Sequence, residues 1–303
     1  MAASISKYEE IYENSYPYNV ITSGIAIFAA GVAIIANISL LISVVKYKTE
    51  KWKIDMKLCF ILLCVDLVMA SNILVNASVN IARFPYYIGN ETLCKLNGIL
   101  ITITVSTEVN LMGVISLERF LLVLFNIKYG LKFYLPIIAL FCILNIANEI
   151  QVAINNAYEI YPIALYCMYN QNKTSGLVGS VLIIISGGLS YSLIVVCYLS
   201  ICLYRRSQSQ KAQIELGLDP AKVRKEVNAT IYRSLSIIFF SILTTGVYVT
   251  IIIISWFNPS VVTPVTDMIQ SILVECQMII NTFVLLNMRP ELWKQLKNLY
   301  GFS

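Results

Sequence analysis

Asp66, Glu108 and Glu275 each stand deep inside a long run of apolar residues, and Arg119 closes another such run. Ionisable side chains are costly in those surroundings, so each calls for a partner, a proton, a cation or a ligand. Two carboxylates held close together in a low dielectric cannot both stay charged unless a cation joins them; otherwise one takes up a proton. Glu118-Arg119-Phe120 offers a different chemistry, because the guanidinium does not deprotonate and presents a rigid fork of donors suited to carboxylates. Arg119 follows Cys94 by 25 residues, which is about 38 Å of helix and matches a bilayer with its interfaces. One helix therefore carries a cysteine at one end and an ion-pairing triplet at the other. For a polar residue near a helix end, a side chain that snorkels to water is the plain reading; for these four it is the lesser one.

The elements that position these residues follow from composition. Hydrophobic residues make up 58% of the chain, charged residues 13%, and the mean hydropathy is +0.74. Soluble domains carry nearly twice that share of charge, so a soluble core is excluded. Seven apolar stretches are long enough to cross a hydrocarbon layer, at about 20–46, 57–82, 95–125, 133–157, 177–204, 229–257 and 264–288. Within lipid each segment must satisfy its own backbone, so these stretches predict helices. The expected fold is an all-α membrane protein: one seven-transmembrane-helix domain over 1–300, with a short amphipathic helix at 290–300.

Charge sets the orientation. With the N-terminus outside, 18 of the 22 Lys and Arg residues fall on the inner side or its edge, leaving Lys7, Arg83, Lys95 and Lys173 outside. The expected location is thus the plasma membrane, multi-pass, with an extracellular N-terminus. The net charge of +5 reads as a topology signal and not as nucleic-acid binding. The glycosylation acceptors Asn90 and Asn172 both fall in outer loops. Of eight cysteines only Cys94 and Cys167 reach the outer face, which predicts a disulfide from the top of the third helix to the loop after the fourth. The N-terminal 20 residues are too few to form a ligand-binding domain.

Several motifs share an order and spacing. Asn37 lies in the first stretch and Asp66, 29 residues on, in the second; Glu118-Arg119-Phe120 ends the third; Tyr198 is low in the fifth. Glu226 is at the base of the sixth, Asn281-Thr-Phe-Val-Leu285 is in the seventh, and Arg289-Pro-Glu-Leu-Trp-Lys follows. Together they resemble the rhodopsin-like (class A) G-protein-coupled receptors, as a divergent member. The resemblance implies an extracellular ligand bound within the bundle, a heterotrimeric G protein at the inner face, and no enzymatic chemistry. It assigns coupling and switching to Glu118, Arg119, Phe120, Tyr198, Glu226, Asn281 and Leu285, with Arg119 resting on Glu118 and reaching towards Glu226. Outward movement of helix six would release Arg119.

Glu108 falls where the family keeps a small polar group beside a sodium pocket, so Asp66, Glu108, Gln277 and Asn281 are expected to converge. Two outcomes are open there: a Na⁺ or proton site, or a neutral hydrogen-bonded pair that packs the bundle. With oxygen ligands and no histidine in the chain, a transition metal does not suit the site. Glu275 stands at the position of the opsin lysine, and helix seven holds no lysine, so a retinal Schiff base is excluded and no other cofactor is implied. Ile101 occupies the place of the aspartate of amine receptors. The ligand-pocket candidates are Ile101, Thr102 and Glu275, with Glu275 either facing a cationic ligand group or hydrogen-bonded to Thr102.

The chain also departs from the family. Leu243-Thr-Thr-Gly246 replaces the Trp- and Pro-containing motif of helix six, Asn145 stands near the helix-four tryptophan position, and Thr282 and Leu285 replace a Pro and a Tyr. Gly246 offers a place for helix six to bend. These departures keep two other functions in view: an ion- or proton-coupled seven-helix transporter or channel, and a non-signalling decoy receptor. Trp293, Leu296 and Tyr300, with Lys294 and Lys297, are expected to hold the last helix on the membrane.

Overall fold

Seven helices are long and apolar enough to cross a membrane by length and composition. They belong to a computed structural model that describes residues 2–46, 54–216, 220–288 and 290–301. Helix one spans Tyr18–Lys46, helix two Ile54–Ile81, helix three Glu91–Phe125, helix four Leu131–Ile154 and helix five Thr174–Leu216. Helix six runs over Pro220–Ser241, a π-helical turn at Ile242–Gly246 and Val247–Phe257; helix seven is Pro264–Met288. An N-terminal helix, Ala2–Ser15, precedes them and a C-terminal helix, Pro290–Leu299, follows.

Local chemistry explains the ends. Asn90 caps helix three, its side chain accepting from the amides of Thr92 (2.9 Å) and Leu93 (3.3 Å). Asn126 closes that helix in the left-handed conformation, φ 53°. Helix four stops at Ile154, short of 157, because Asn156 also adopts a positive φ of 52°. Helix five continues well past 204, to Leu216. Helix six begins on Pro220, whose missing N–H costs nothing at a first helical position. The π turn includes Gly246, where the sequence allows a bend.

Burial is inverted relative to a soluble protein. Large apolar side chains such as Phe28, Ile35, Ile143 and Leu203 face outward. Small or polar residues of helices one and two face in, among them Ala26, Ala30, Ala33, Asn37, Asp66, Asn76 and Asn80. Lipid tails solvate leucine as well as a protein core does, so helices associate through close packing of small residues and interhelical hydrogen bonds. Ser23 donates to Asn80 (3.0 Å), Asn97 to Asn76 (2.8 Å) and Ser190 to Asn110 (2.6 Å), each joining two spans.

The Cys94 end is covered twice. In the loop after helix four, β1 (Tyr158–Ile160) pairs antiparallel with β2 (Cys167–Tyr169), the one addition to an all-α expectation among the described residues. The predicted Cys94–Cys167 disulfide ties this hairpin to helix three. Gly98 lets it settle, because a Cβ there would meet the Tyr158 ring at 2.5 Å. Above the hairpin, Tyr8 and Tyr12 of the N-terminal helix are buried with Ile88, Ala164 and the two bridged cysteines.

Candidate functional site

Three polar centres are strung along the bundle. At the Arg119 end, the guanidinium Nη2 donates to Asp55 Oδ2 at 2.8 Å and its Nε lies 3.5 Å from Glu118 Oε2. Asp55 is 3% exposed and its other oxygen accepts from the Met56 amide (2.8 Å), so it is fixed in place while it holds Arg119. The pairing with Glu118 is therefore present, but the stronger bond crosses to helix two. The side chain of Glu226 lies outside the described residues, so its reach to Arg119 is not assigned. Tyr198 is buried beside Ser116 and near Arg119. Phe120 packs half-buried on the same apolar cluster as Tyr198 and meets Phe125 edge-on at 5.6 Å. Leu285 stands apart from this group, packed with Leu40, Val44, Leu63 and Leu292 at the join between helices one, two and seven and the C-terminal helix. Leu296 packs inward on that same cluster, in place of the membrane-facing position expected of it, whereas Trp293 is exposed beneath Lys297. Tyr300 shares a hydrogen bond with Ser39.

Mid-bundle, Asp66 and Glu108 are fully buried and close enough to interact. Asn281 donates to Asp66 Oδ1 at 3.3 Å. Among the described residues, Asp66 Oδ2 and both carboxyl oxygens of Glu108 have no hydrogen-bond partner. Gln277 does not join this group through its oxygen, which accepts from Thr245 of the π turn at 2.8 Å. Thr282, standing where the family has a proline, donates to Asn37 at 2.8 Å. That hydroxyl thus ties helix seven to helix one in a way proline could not.

Under the hairpin lies a cavity of about 100 Å³, lined by all three expected pocket residues, Ile101, Thr102 and Glu275, and roofed by Leu165, Tyr166 and Met168. The Thr102 hydroxyl donates to the Gly98 carbonyl (2.7 Å), not to Glu275. Glu275 is 4% exposed and its Oε2 finds no partner among the described residues.

Two buried acids that the sequence reading passed over hold the roof. Asp267 accepts from the Ile163 amide (3.0 Å), from the Gln270 side chain (2.8 Å) and from the Tyr166 hydroxyl. Burial, and then the neighbouring Asp267, push the Tyr166 phenol well above its ordinary range, so it remains a donor. Glu149 accepts from the hydroxyls of Tyr158 and Tyr169, one on each hairpin strand. Asn80 adds a third tie, donating to the Ala164 carbonyl at 2.8 Å. Helical spacing was the signal for these residues: Asp55 is three turns before Asp66, Glu149 one turn after Asn145, and Asp267 about two turns before Glu275. Of the two glycosylation acceptors, Asn172 is exposed while Asn90 is occupied as a helix cap.

No protein-family model matches the sequence, and no curated protein matches it. Among solved structures the fold is similar to a crystal structure of squid rhodopsin, with a TM-score of 0.71 over 98% of this chain and 86% of that one, at 15% sequence identity. This chain thus has the rhodopsin-like seven-helix fold of a multi-pass membrane protein.

Proposed function

We propose that this protein is a G-protein-coupled receptor: it binds a small extracellular ligand inside the bundle and promotes nucleotide exchange on a heterotrimeric G protein. One observation carries the reading. Helix three lines a covered cavity with Ile101 and Thr102 and, about 26 Å further along, ends in an arginine held by two acids. A ligand that favours one packing of the bundle at the first place shifts the equilibrium at the second, and only differential affinity is required. On this reading the protein sits in the plasma membrane with the Arg119 end cytoplasmic and the N-terminus outside, an orientation that the Lys and Arg distribution supports, and Asn172 is the better exposed glycan acceptor. Glu118, Phe120 and Tyr198 serve coupling around Arg119, and Glu226 is assigned to coupling from its place in the sequence at the base of helix six. Asn281 bonds into the mid-bundle site, and Leu285 seats the C-terminal helix.

The unpartnered oxygens of Asp66 and Glu108 suit a hard cation, so Na⁺ would bind between them and favour the resting packing. The same unsatisfied pair is what favours the second reading, an ion- or proton-coupled transporter. A decoy receptor would bind ligand and leave G proteins untouched. Nucleotide exchange on a panel of purified G proteins separates them. The full chain in nanodiscs raises exchange on at least one partner, and Arg119→Ala abolishes the increase. Exchange by neither, with cation-dependent flux in liposomes, would favour the transporter.

A further inference from the structure

The cavity under the hairpin is lined mostly by apolar side chains, Ile101, Met69, Ile73 and Val274 among them. Among the described residues, its fully buried side-chain polar atoms without a partner are two, and both are acceptors: Glu275 Oε2 and Gln270 Oε1. The Gln270 amide nitrogen is committed to Asp267 at 2.8 Å, which fixes its oxygen as the free end. A buried acceptor left unpaired carries its full desolvation cost, so an occupant that supplies N–H donors recovers it.

The charge around the cavity has one sign. Asp267 acts electrostatically on Glu275, Glu149 is buried in the neighbouring hairpin support, and among the described residues no Lys or Arg is buried. Asp267 and Glu149 are saturated by the roof contacts. Glu275 alone among these three keeps a buried oxygen without a bond. Size sets the other limit: about 100 Å³ is smaller than the ~150 Å³ apolar cavity that admits benzene.

We infer that the cavity takes a compact alkylammonium ion of about five heavy atoms, its nitrogen donating to Glu275 and Gln270 and its alkyl group lying against Ile101 and Val274. This rests on the bundle being a ligand-binding receptor, and it differs from the helix-three arrangement of amine receptors because the acid is on helix seven. The counter-charge and the two free acceptors select an amine over an alcohol of the same shape.

The probe is isobutylammonium chloride, compared with isobutanol and with potassium chloride at equal concentration, all at one fixed sodium concentration. The readout is the thermal midpoint of the full chain in nanodiscs, which needs no G protein and so stands apart from any failure of coupling. Isobutylammonium is expected to raise the midpoint at a concentration about tenfold below that at which isobutanol acts. Glu275→Gln, which keeps the shape, is expected to remove that preference, and Val274→Phe, which fills the cavity, to remove the shift by both probes. Equal potency of the alcohol, an equal effect of potassium chloride, an undiminished preference in Glu275→Gln, or no shift with either probe would each overturn the inference.

Discussion

Arg119 Nη2 and Asp55 Oδ2 lie 2.8 Å apart, joining helix three to helix two at the end of the bundle opposite the disulfide. Asp55 is almost wholly enclosed while Arg119 is 18% exposed, so the two partners are not equivalent. Removing the arginine takes the bonded cation away from a buried carboxylate, whereas removing the acid leaves a cation that can turn towards water. Arg119→Ala should therefore cost about 1–3 kcal/mol of stability, and Asp55→Asn clearly less. Glu118→Gln should cost least, since its contact with Arg119 is 3.5 Å. Denaturant unfolding in detergent measures all three, and equal losses would show that the 2.8 Å contact carries no special weight.

The roof over the cavity should open where Asp267 lets go. Asp267→Ala frees the Ile163 amide, which the carboxylate holds at 3.0 Å. Hydrogen exchange over 161–167 should then rise about tenfold or more, with helix three unchanged. Unchanged protection at Ile163 would mean that the disulfide and Asn80 suffice to hold the loop.

Hairpin seating depends on the missing side chain at position 98. A Cβ at Gly98 would press on the Tyr158 ring at 2.5 Å and the Cys167 carbonyl at 3.0 Å. Because both neighbours are locked, one by Glu149 and one by the disulfide, Gly98→Ala should destabilise by about 1–3 kcal/mol. A wild-type midpoint for this variant would show that the hairpin has slack.

Sodium should act mid-bundle. Raising NaCl at constant ionic strength, with choline as the replacement, should raise the thermal midpoint of the wild-type chain. Glu108→Leu should remove the response, because it removes both unpartnered oxygens of that residue. An identical response in this variant would place any sodium effect elsewhere.

The seven spans, the Cys94–Cys167 bridge and the lining of the cavity were legible because each rests on a local signal: apolar run length, cysteine position, helical offset from Cys94. Partner choice was not. Arg119 was expected to rest on Glu118 and reach towards Glu226. The Glu118 contact is present and the Glu226 side chain lies outside the described residues, but the 2.8 Å bond to Asp55 was not foreseen, since motif order along a chain does not say which of several nearby acids the packing brings closest. Gln277 and Leu285 show the same limit: each sits on helix seven as expected, but rotation about the helix sends one to Thr245 and the other into an apolar cluster. Asp267 and Glu149 escaped notice for a different reason. Their partners are loop tyrosines and a loop amide, and a hairpin of three-residue strands leaves almost no periodic signal in sequence.

The central claim is that Arg119, released from its acids, is what engages a G protein. The direct measurement is basal nucleotide exchange by the reconstituted full chain, for wild type, Asp55→Asn, Arg119→Ala and the double variant. Asp55→Asn is expected to raise basal exchange several-fold, Arg119→Ala to abolish it, and the double variant to match Arg119→Ala. A rise in Asp55→Asn that persists without Arg119, or no exchange from any of the four on any G protein, would contradict the claim.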